Sequence, residues 1–294
     1  MTMKPMRSKL FVPGVRPELF GKALAGDADA LSFDLEDSVP QDRKDEARRS
    51  IASFMRSEAV SASDKLIIVR TNAHDTSCFD ADLEAAACDG VGLINLPKIE
   101  SAEDIHAVAE RLQRIEAANG IGHPLGLLVN IETPRALRNA AAIAGAHRRV
   151  AGLQLGLADL FEPLGIDRSD AANVHAVMFA VRMAAAEAGV FALDGAFAAI
   201  GDVPAFEAEA LMARRLGFSG KSCIHPQQVP LANRVFAPSQ AELVAAERIV
   251  EAAKAQANAG HGAFVVDGRM IDVPFLKRAQ AIVAASAAAR RPAA

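Results

Sequence analysis

Short apolar runs alternate with helix-period segments along almost the whole chain, and few folds accept that rhythm. The runs fall at 9–12, 30–35, 65–70, 92–96, 125–131, 150–155, 190–193 and 220–224, each followed by a stretch of helical character. A strand covered on both faces reads as a nearly continuous apolar run, and parallel neighbours need a long crossover between them. Eight such β-α units predict an α/β fold closed as a (β/α)₈ TIM barrel. Helix ends are marked by Ser101 as N-cap, by Thr133-Pro134 at a first turn and by Asn119-Gly120 at a C-terminus. Beyond the eighth unit, Pro238-Ser239 precedes a long helix at 241–259, a glycine-rich joint at Gly260-His-Gly262 and a tail at 264–285. The expected organisation is a TIM-barrel domain at 1–236, with a C-terminal helical extension at 237–294.

Alternate residues of a barrel strand face the interior, and active sites gather at the C-terminal strand ends. On this parity Ser32, Asp34 and Glu36 share one face, as do Ile68, Arg70 and Asn72, then Ile94, Leu96 and Lys98, then Asn130 and Glu132, then Ala192 and Asp194. Their polar members cluster late in each strand. Glu132 closes the run Leu127-Leu128-Val129-Asn130-Ile131, and Asp159 follows Gly152-Leu153-Gln154-Leu155-Gly156-Leu157, so two successive strands each end in an acid. Mg²⁺ takes hard oxygen ligands, commonly one or two carboxylates, and leaves positions for water and a chelating substrate. Spacing alone fits a metal pair or barrel-mouth acids neutralised by Arg and Lys equally well.

Charge removes other function classes. With 32 Lys+Arg against 36 Asp+Glu, a net charge of −4 and neither Trp nor Tyr, the chain has no basic field or stacking platform for nucleic acid. The first residues run into a strand without a signal-type apolar stretch and no segment approaches a membrane-spanning length, so no membrane partner and a cytoplasmic location are expected. Cys78, Cys88 and Cys223 are odd in number and widely spaced, which suits free thiols.

Several fragments recur in a distinctive order: Ser8-Lys-Leu-Phe-Val-Pro-Gly14 with Arg16, Asp34-Leu-Glu-Asp-Ser-Val39 with Lys44 and Arg48, and Val69-Arg-Thr-Asn72. Leu96-Pro-Lys98, Ile131-Glu-Thr-Pro134, Gly156-Leu-Ala-Asp159 and Gly217-Phe-Ser-Gly-Lys-Ser-Cys-Ile-His-Pro-Gln227 follow. The whole chain resembles the citrate lyase beta-subunit-like family of the HpcH/HpaI aldolase superfamily, which includes malyl-CoA and citramalyl-CoA lyases. The resemblance implies a TIM barrel assembling as a homotrimer or a dimer of trimers. It also implies Mg²⁺ as cofactor and a carbon-carbon bond made or broken beside an acyl-CoA or acyl-carrier-protein thioester. Glu132 and Asp159 are then the metal ligands, and Arg70 holds the substrate carboxylate or developing enolate oxygen. Arg70, Glu132, Lys9 and Arg16 are the substrate contacts, with Lys9, Arg16 and Lys44 near the thioester arm. The tail Met270-Ile-Asp-Val-Pro274 is similar to a lid whose aspartate, here Asp272, serves a neighbouring subunit's site as acid/base, with Gly260, Gly262 and Gly268 giving it freedom to move. Val15 departs from the family pattern, where a polar residue often follows the Pro-Gly pair.

Plainer roles stand beside these. Arg70 could be a counter-ion, and Glu36 and Asp37 could form an ion-pair network with Lys44 and Arg48 that braces the second loop. Lys98 suits pairing with the acids better than a Schiff base, which needs a desolvated amine. His225 suits loop bracing, and Asp272 could belong to a tail packed as an oligomer arm. The leading expectation is an Mg²⁺-dependent lyase cleaving a 3-hydroxyacyl-CoA such as citramalyl-CoA or malyl-CoA into acetyl-CoA and a 2-oxo acid. Its rivals are a citrate lyase beta subunit acting on citryl-acyl-carrier protein, a malate-synthase-type thioester hydrolase and a non-catalytic metabolite-binding barrel.

Overall fold

A computed structural model describes residues 6–256 and 263–289, which fall into two compact units meeting in sequence at Phe236 and Ala237. In the first unit eight parallel strands close a barrel in chain order: β1 Ser8–Pro13, β2 Ala30–Asp34, β3 Leu66–Arg70, β4 Leu93–Leu96, β5 Gly126–Ile131, β6 Val150–Leu155, β7 Phe191–Asp194 and β8 Gly220–Cys223. The barrel closes where Lys9 of β1 pairs with Ser222 of β8. Closure is tight there: a Cβ on Gly220 would lie 1.9 Å from the Met6 carbonyl, so only glycine fits.

The two faces of the sheet divide the hydrophobic core. Outward residues such as Leu31, Phe33, Val69, Leu127, Val129 and Leu153 meet the helices in one continuous buried cluster. A smaller interior plug of Ala30, Ile68, Leu93, Leu128 and Leu193 fills the barrel. Each fully buried Leu, Ile or Phe contributes about 1.5–3 kcal/mol of transfer free energy, so this shell fixes where the strand ends point.

Local signals set the helix boundaries. Ser101 and Asp104 form a reciprocal capping box, Thr133 Oγ1 accepts from Ala136 N–H ahead of Pro134, and Gly120 ends its helix in the left-handed region at φ 70°.

The second unit opens with Ser239 and Glu242 capping the helix Gln240–Gln256. It continues with the antiparallel hairpin of β9 Phe264–Val266 and β10 Arg269–Ile271 and ends in the helix Val273–Ala289. Asp267 at φ 49° and Gly268 at φ 76° form the hairpin's two-residue turn, with positive φ at both positions. Gly268 therefore sets a tight turn rather than the loose joint expected of it, while Gly260 and Gly262 lie outside the described residues. Among the described residues no helix is long and apolar enough to cross a membrane.

Candidate active site

Charged and polar side chains converge at the C-terminal mouth of the barrel. Arg70, the last residue of β3, lies beside Asp34, the last of β2, because the two are register partners. Its Nε donates to Asp34 Oδ1 at 2.7 Å and its Nη2 to Asp34 Oδ2 at 2.9 Å, a bidentate fork that fixes the guanidinium plane. Nη1 meets Glu36 Oε2 at 2.7 Å and Asp37 Oδ2 at 3.3 Å. Burial would lower the Arg70 pKa, but the Asp34 carboxylate and its neighbours hold it above the usual value. Asp34 responds in kind: burial pushes it up, and Arg70 pulls it below the ordinary carboxylate range. Glu36 is pushed up to about 8, chiefly by burial, against the pull of Arg70 and with the charges of Asp37, Glu132 and Asp34 adding to the rise.

Across the mouth, Glu132 extends from β5 and is only 2% exposed. Its Oε1 accepts the backbone N–H of Lys98 at 2.8 Å and its Oε2 accepts Asn130 Nδ2 at 3.0 Å. Gly156, just past β6, makes room for it: a Cβ there would lie 2.5 Å from Glu132 Oε2. Burial raises the Glu132 pKa, and the Lys98 ammonium opposes the rise. Asp159 is in the short helix Leu157–Phe161 with its side chain 39% exposed.

Lys98 joins the two acids. Its Nζ bonds Asp159 Oδ1 and lies 3.7 Å from Glu132 Oε1. Burial would lower its pKa, but Glu132 and Asp159 hold it above the ordinary value, so it is a charged partner and not a nucleophilic amine. The route by which it arrives differs from the sequence expectation. In β4 the inward residues are Leu93, within the interior plug, and Asn95, whereas Ile94 and Leu96 face the helices. Lys98 should then point outward, but at φ 54° its backbone is left-handed and turns the side chain back over the mouth.

Other expected residues lie elsewhere. Lys9 is wholly buried inside the barrel, with Nζ on Asn95 Oδ1 at 3.3 Å and 3.8 Å above the Phe11 ring. It is closed to a thioester arm, because Lys9 and Phe11 are the inward pair of β1; burial and the nearby Arg70 push its pKa well down. Arg16 is half exposed in the loop after β1 and paired with Glu18. Lys44 holds no carboxylate: Nζ donates to the carbonyls of Leu35 and Glu36 at 2.6 and 2.7 Å, bracing the second loop through its backbone. Arg48 pairs with Asp45 and Asp82, so Glu36 and Asp37 answer to Arg70 instead of the Lys44 and Arg48 network. Asp194 faces away from the mouth, where Lys221 Nζ meets it at 2.6 Å on the helix side of the sheet. His225 Nδ1 accepts the Gln227 N–H at 3.2 Å, a loop contact. In the second unit Asp272 precedes the helix Val273–Ala289, with its Oδ1 buried and, among the described residues, without a hydrogen-bond partner.

Sequence reasoning about the site left out Asn95 and Gln154 and gave Asp34 no role beyond its inward face. The available signal was a polar residue at an inward position within an apolar run, the same signal that marked Asn130.

The donor set suits a hard divalent cation. Two carboxylates, Glu132 just past β5 and Asp159 in the short helix after β6 instead of at a strand end, converge where the Lys98 ammonium already reaches both, and the space beside Glu132 exists because residue 156 has no side chain. Among the described residues no group of three or more His, Cys, Asp and Glu is placed to hold a metal ion; Mg²⁺ commonly takes one or two carboxylates.

Residues 7–226 match the family HpcH/HpaI aldolase/citrate lyase. Citrate lyase subunit beta of Escherichia coli (strain K12) is 37% identical over 280 residues, 94% of this chain and 92% of that protein. L-malyl-CoA/beta-methylmalyl-CoA lyase of Cereibacter sphaeroides (strain ATCC 17029) is 34% identical over 304 aligned residues, covering 95% of this chain and 94% of the relative. The solved structure of the protein CitE from Mycobacterium tuberculosis in complex with magnesium, acetoacetate and coenzyme A is similar with a TM-score of 0.76 at 31% identity, over 97% of this chain and 99% of that one. By fold, mouth chemistry and sequence likeness over nearly its whole length, the chain belongs to the HpcH/HpaI aldolase/citrate lyase family.

Proposed function

We propose that this protein is an Mg²⁺-dependent carbon-carbon lyase that splits a 3-hydroxyacyl-CoA such as citramalyl-CoA or malyl-CoA into acetyl-CoA and a 2-oxo acid. The observation that carries the reading is that Glu132 and Asp159 meet at the barrel mouth around one cation, the Lys98 ammonium, which bonds Asp159 and lies 3.7 Å from Glu132. Relatives named as lyases of malyl-CoA and a neighbour solved with magnesium, acetoacetate and coenzyme A support it.

Glu132 and Asp159 would hold Mg²⁺, which when bound lowers the pKa of a hydroxyl and neutralises carboxylate charge beside it. The hydroxyl gives its proton to solvent, the oxygen's freed pair forms the carbonyl of the 2-oxo acid, the bond between that carbon and the thioester α-carbon breaks, and its electron pair passes through the α-carbon to the thioester oxygen as an enolate. Arg70, its plane fixed by Asp34, stabilises that developing charge or holds the substrate carboxylate. Asp272, reaching in from a neighbouring subunit, would deliver the proton that turns the α-carbon into the methyl of acetyl-CoA. Arg16 is the cation at the mouth's rim for the thioester arm, and Lys9 is withdrawn from that role. A homotrimer or dimer of trimers and a cytoplasmic location complete the reading; exposed Phe179 and Met183, one helical turn apart, are suited to a subunit contact.

The test is incubation of the purified protein with Mg²⁺ and a panel of 3-hydroxyacyl-CoAs, following 2-oxo acid release. Activity on free CoA thioesters is expected, and loss of it in Glu132→Ala; turnover confined to a citryl-acyl-carrier protein would favour the citrate lyase beta reading. Asp272→Asn should retain substrate binding and lose about 10²–10⁴ in kcat. Full activity in that variant removes Asp272 from the chemistry.

A further inference from the structure

We infer that Asn130 is a positioning residue, fixing the direction of the Glu132 carboxylate from inside the barrel; this rests on the proposal that Glu132 holds a divalent cation. Asn130 and Glu132 are two residues apart on and just past β5, so both face inward. Asn130 Nδ2 donates to Glu132 Oε2 at 3.0 Å. The amide has only one workable orientation, because its Oδ1 accepts from Asn95 Nδ2 at 2.8 Å and from Gln154 Nε2 at 3.0 Å. Flipping it would set an NH₂ against two N–H donors and an oxygen against a carboxylate.

The neighbours are themselves held. Asn95 Nδ2 also donates to the Leu128 carbonyl at 2.9 Å, its Oδ1 accepts from Lys9 Nζ at 3.3 Å, and Gln154 Oε1 accepts from Ser222 Oγ at 3.4 Å. Five strands thus contribute to one buried chain of donors, running from Lys9 on β1 through Asn95 and Asn130 to Glu132, with Gln154 and Ser222 bracing it from β6 and β8. Every member is at most 3% exposed. In such a low-dielectric interior an unmade hydrogen bond is costly, so the network holds its geometry stiffly. With Lys98 N–H on Oε1 and Asn130 on Oε2, each Glu132 oxygen keeps one donor and has its remaining lone pairs for a cation. Partners that orient a metal-binding side chain are typically worth 10–100-fold in metal affinity. Lys9 and Asn95 thereby acquire a role one step further back, since they hold the amide that holds the carboxylate.

Titration with Mn²⁺ alone, read by the electron paramagnetic resonance signal of the free ion, tests this without turnover. Asn130→Asp keeps the shape and both acceptor contacts but offers Glu132 an oxygen in place of N–H. It should weaken Mn²⁺ binding roughly tenfold or more. Gln154→Met, which removes one N–H from the amide lock at similar volume, should weaken it by a smaller factor and serves if Asn130→Asp does not fold. Wild-type Mn²⁺ affinity in the folded variant, with only its melting temperature lowered, reduces Asn130 to core packing and overturns the inference. Equal binding by wild type and Glu132→Ala, or none by either, instead removes the metal reading itself and this inference with it.

Discussion

Two clusters of buried charge lie on opposite faces of the same sheet, and they differ in balance. On the helix side Lys221 Nζ meets Asp194 at 2.6 Å and Glu209 at 2.7 Å, and Arg168 Nη2 meets Glu209 at 2.7 Å. Two cations face two carboxylates, and Lys221 and Asp194 are completely sealed from solvent. Burial would lower the Lys221 pKa, yet Asp194 and Glu209 hold it above the ordinary value. Nothing is left over. At the mouth, among the described residues, Asp34, Glu36, Asp37, Glu132 and Asp159 form ion pairs with Arg70 and Lys98, with the buried Lys9 ammonium near Asp34 and Glu132, and Asp37 and Asp159 are open to water. Buried charge that balances holds a structure together; a half-open surplus of carboxylates is a place for a cation from outside.

The contrast is sharpened by removing one charge from each side. Lys221→Met leaves Asp194 buried without its cation, while Glu209 keeps Arg168, and should cost about 3–5 kcal/mol, a fall in melting temperature on the order of 10 °C. The Mg²⁺ affinity of its folded fraction should be unchanged. Glu132→Gln removes one member of the surplus and should leave the melting temperature of the metal-free protein level or slightly higher, while Mg²⁺ no longer raises it. Calorimetric scans with and without Mg²⁺ compare the two, and a swap of these phenotypes would break the comparison.

Titration gives a smaller effect. Glu36 has an ordinary pKa of 4.5 and is pushed up to about 8, so the fold prefers its protonated form. That preference is fully expressed below about pH 4.5 and is lost as pH rises through 8. Metal-free wild type should therefore lose stability relative to Glu36→Gln between pH 6 and pH 9. Parallel melting curves in that range would count against the raised value.

The barrel was legible because a two-sided apolar cover produces continuous runs, and all eight strands lie within two residues of their expected places. Parity located Arg70, Glu132 and Asp34 because their strands are regular up to the mouth. It failed at β4, where four residues end at Pro97 and a left-handed Lys98 reverses the side chain, a backbone event with no pattern in the apolar period. Asp194 was drawn toward the mouth because its partner Lys221 is 27 residues away, beyond local pattern. Lys9 misled as a cation near the N-terminus, although its alternation with Leu10 and Val12, which face the helices, already placed it inside. The hairpin of the second unit was written in Asp267-Gly268 between apolar flanks, a strong two-residue turn signal that the expectation of a loose lid obscured.

Binding of Mg²⁺ to wild type, Glu132→Gln and Asp159→Asn, followed by isothermal calorimetry without substrate, tests the surplus of carboxylates as a cation site most directly. One ion per chain in wild type, with affinity lost in both variants, is the expected result. Wild-type affinity retained in either variant would contradict it.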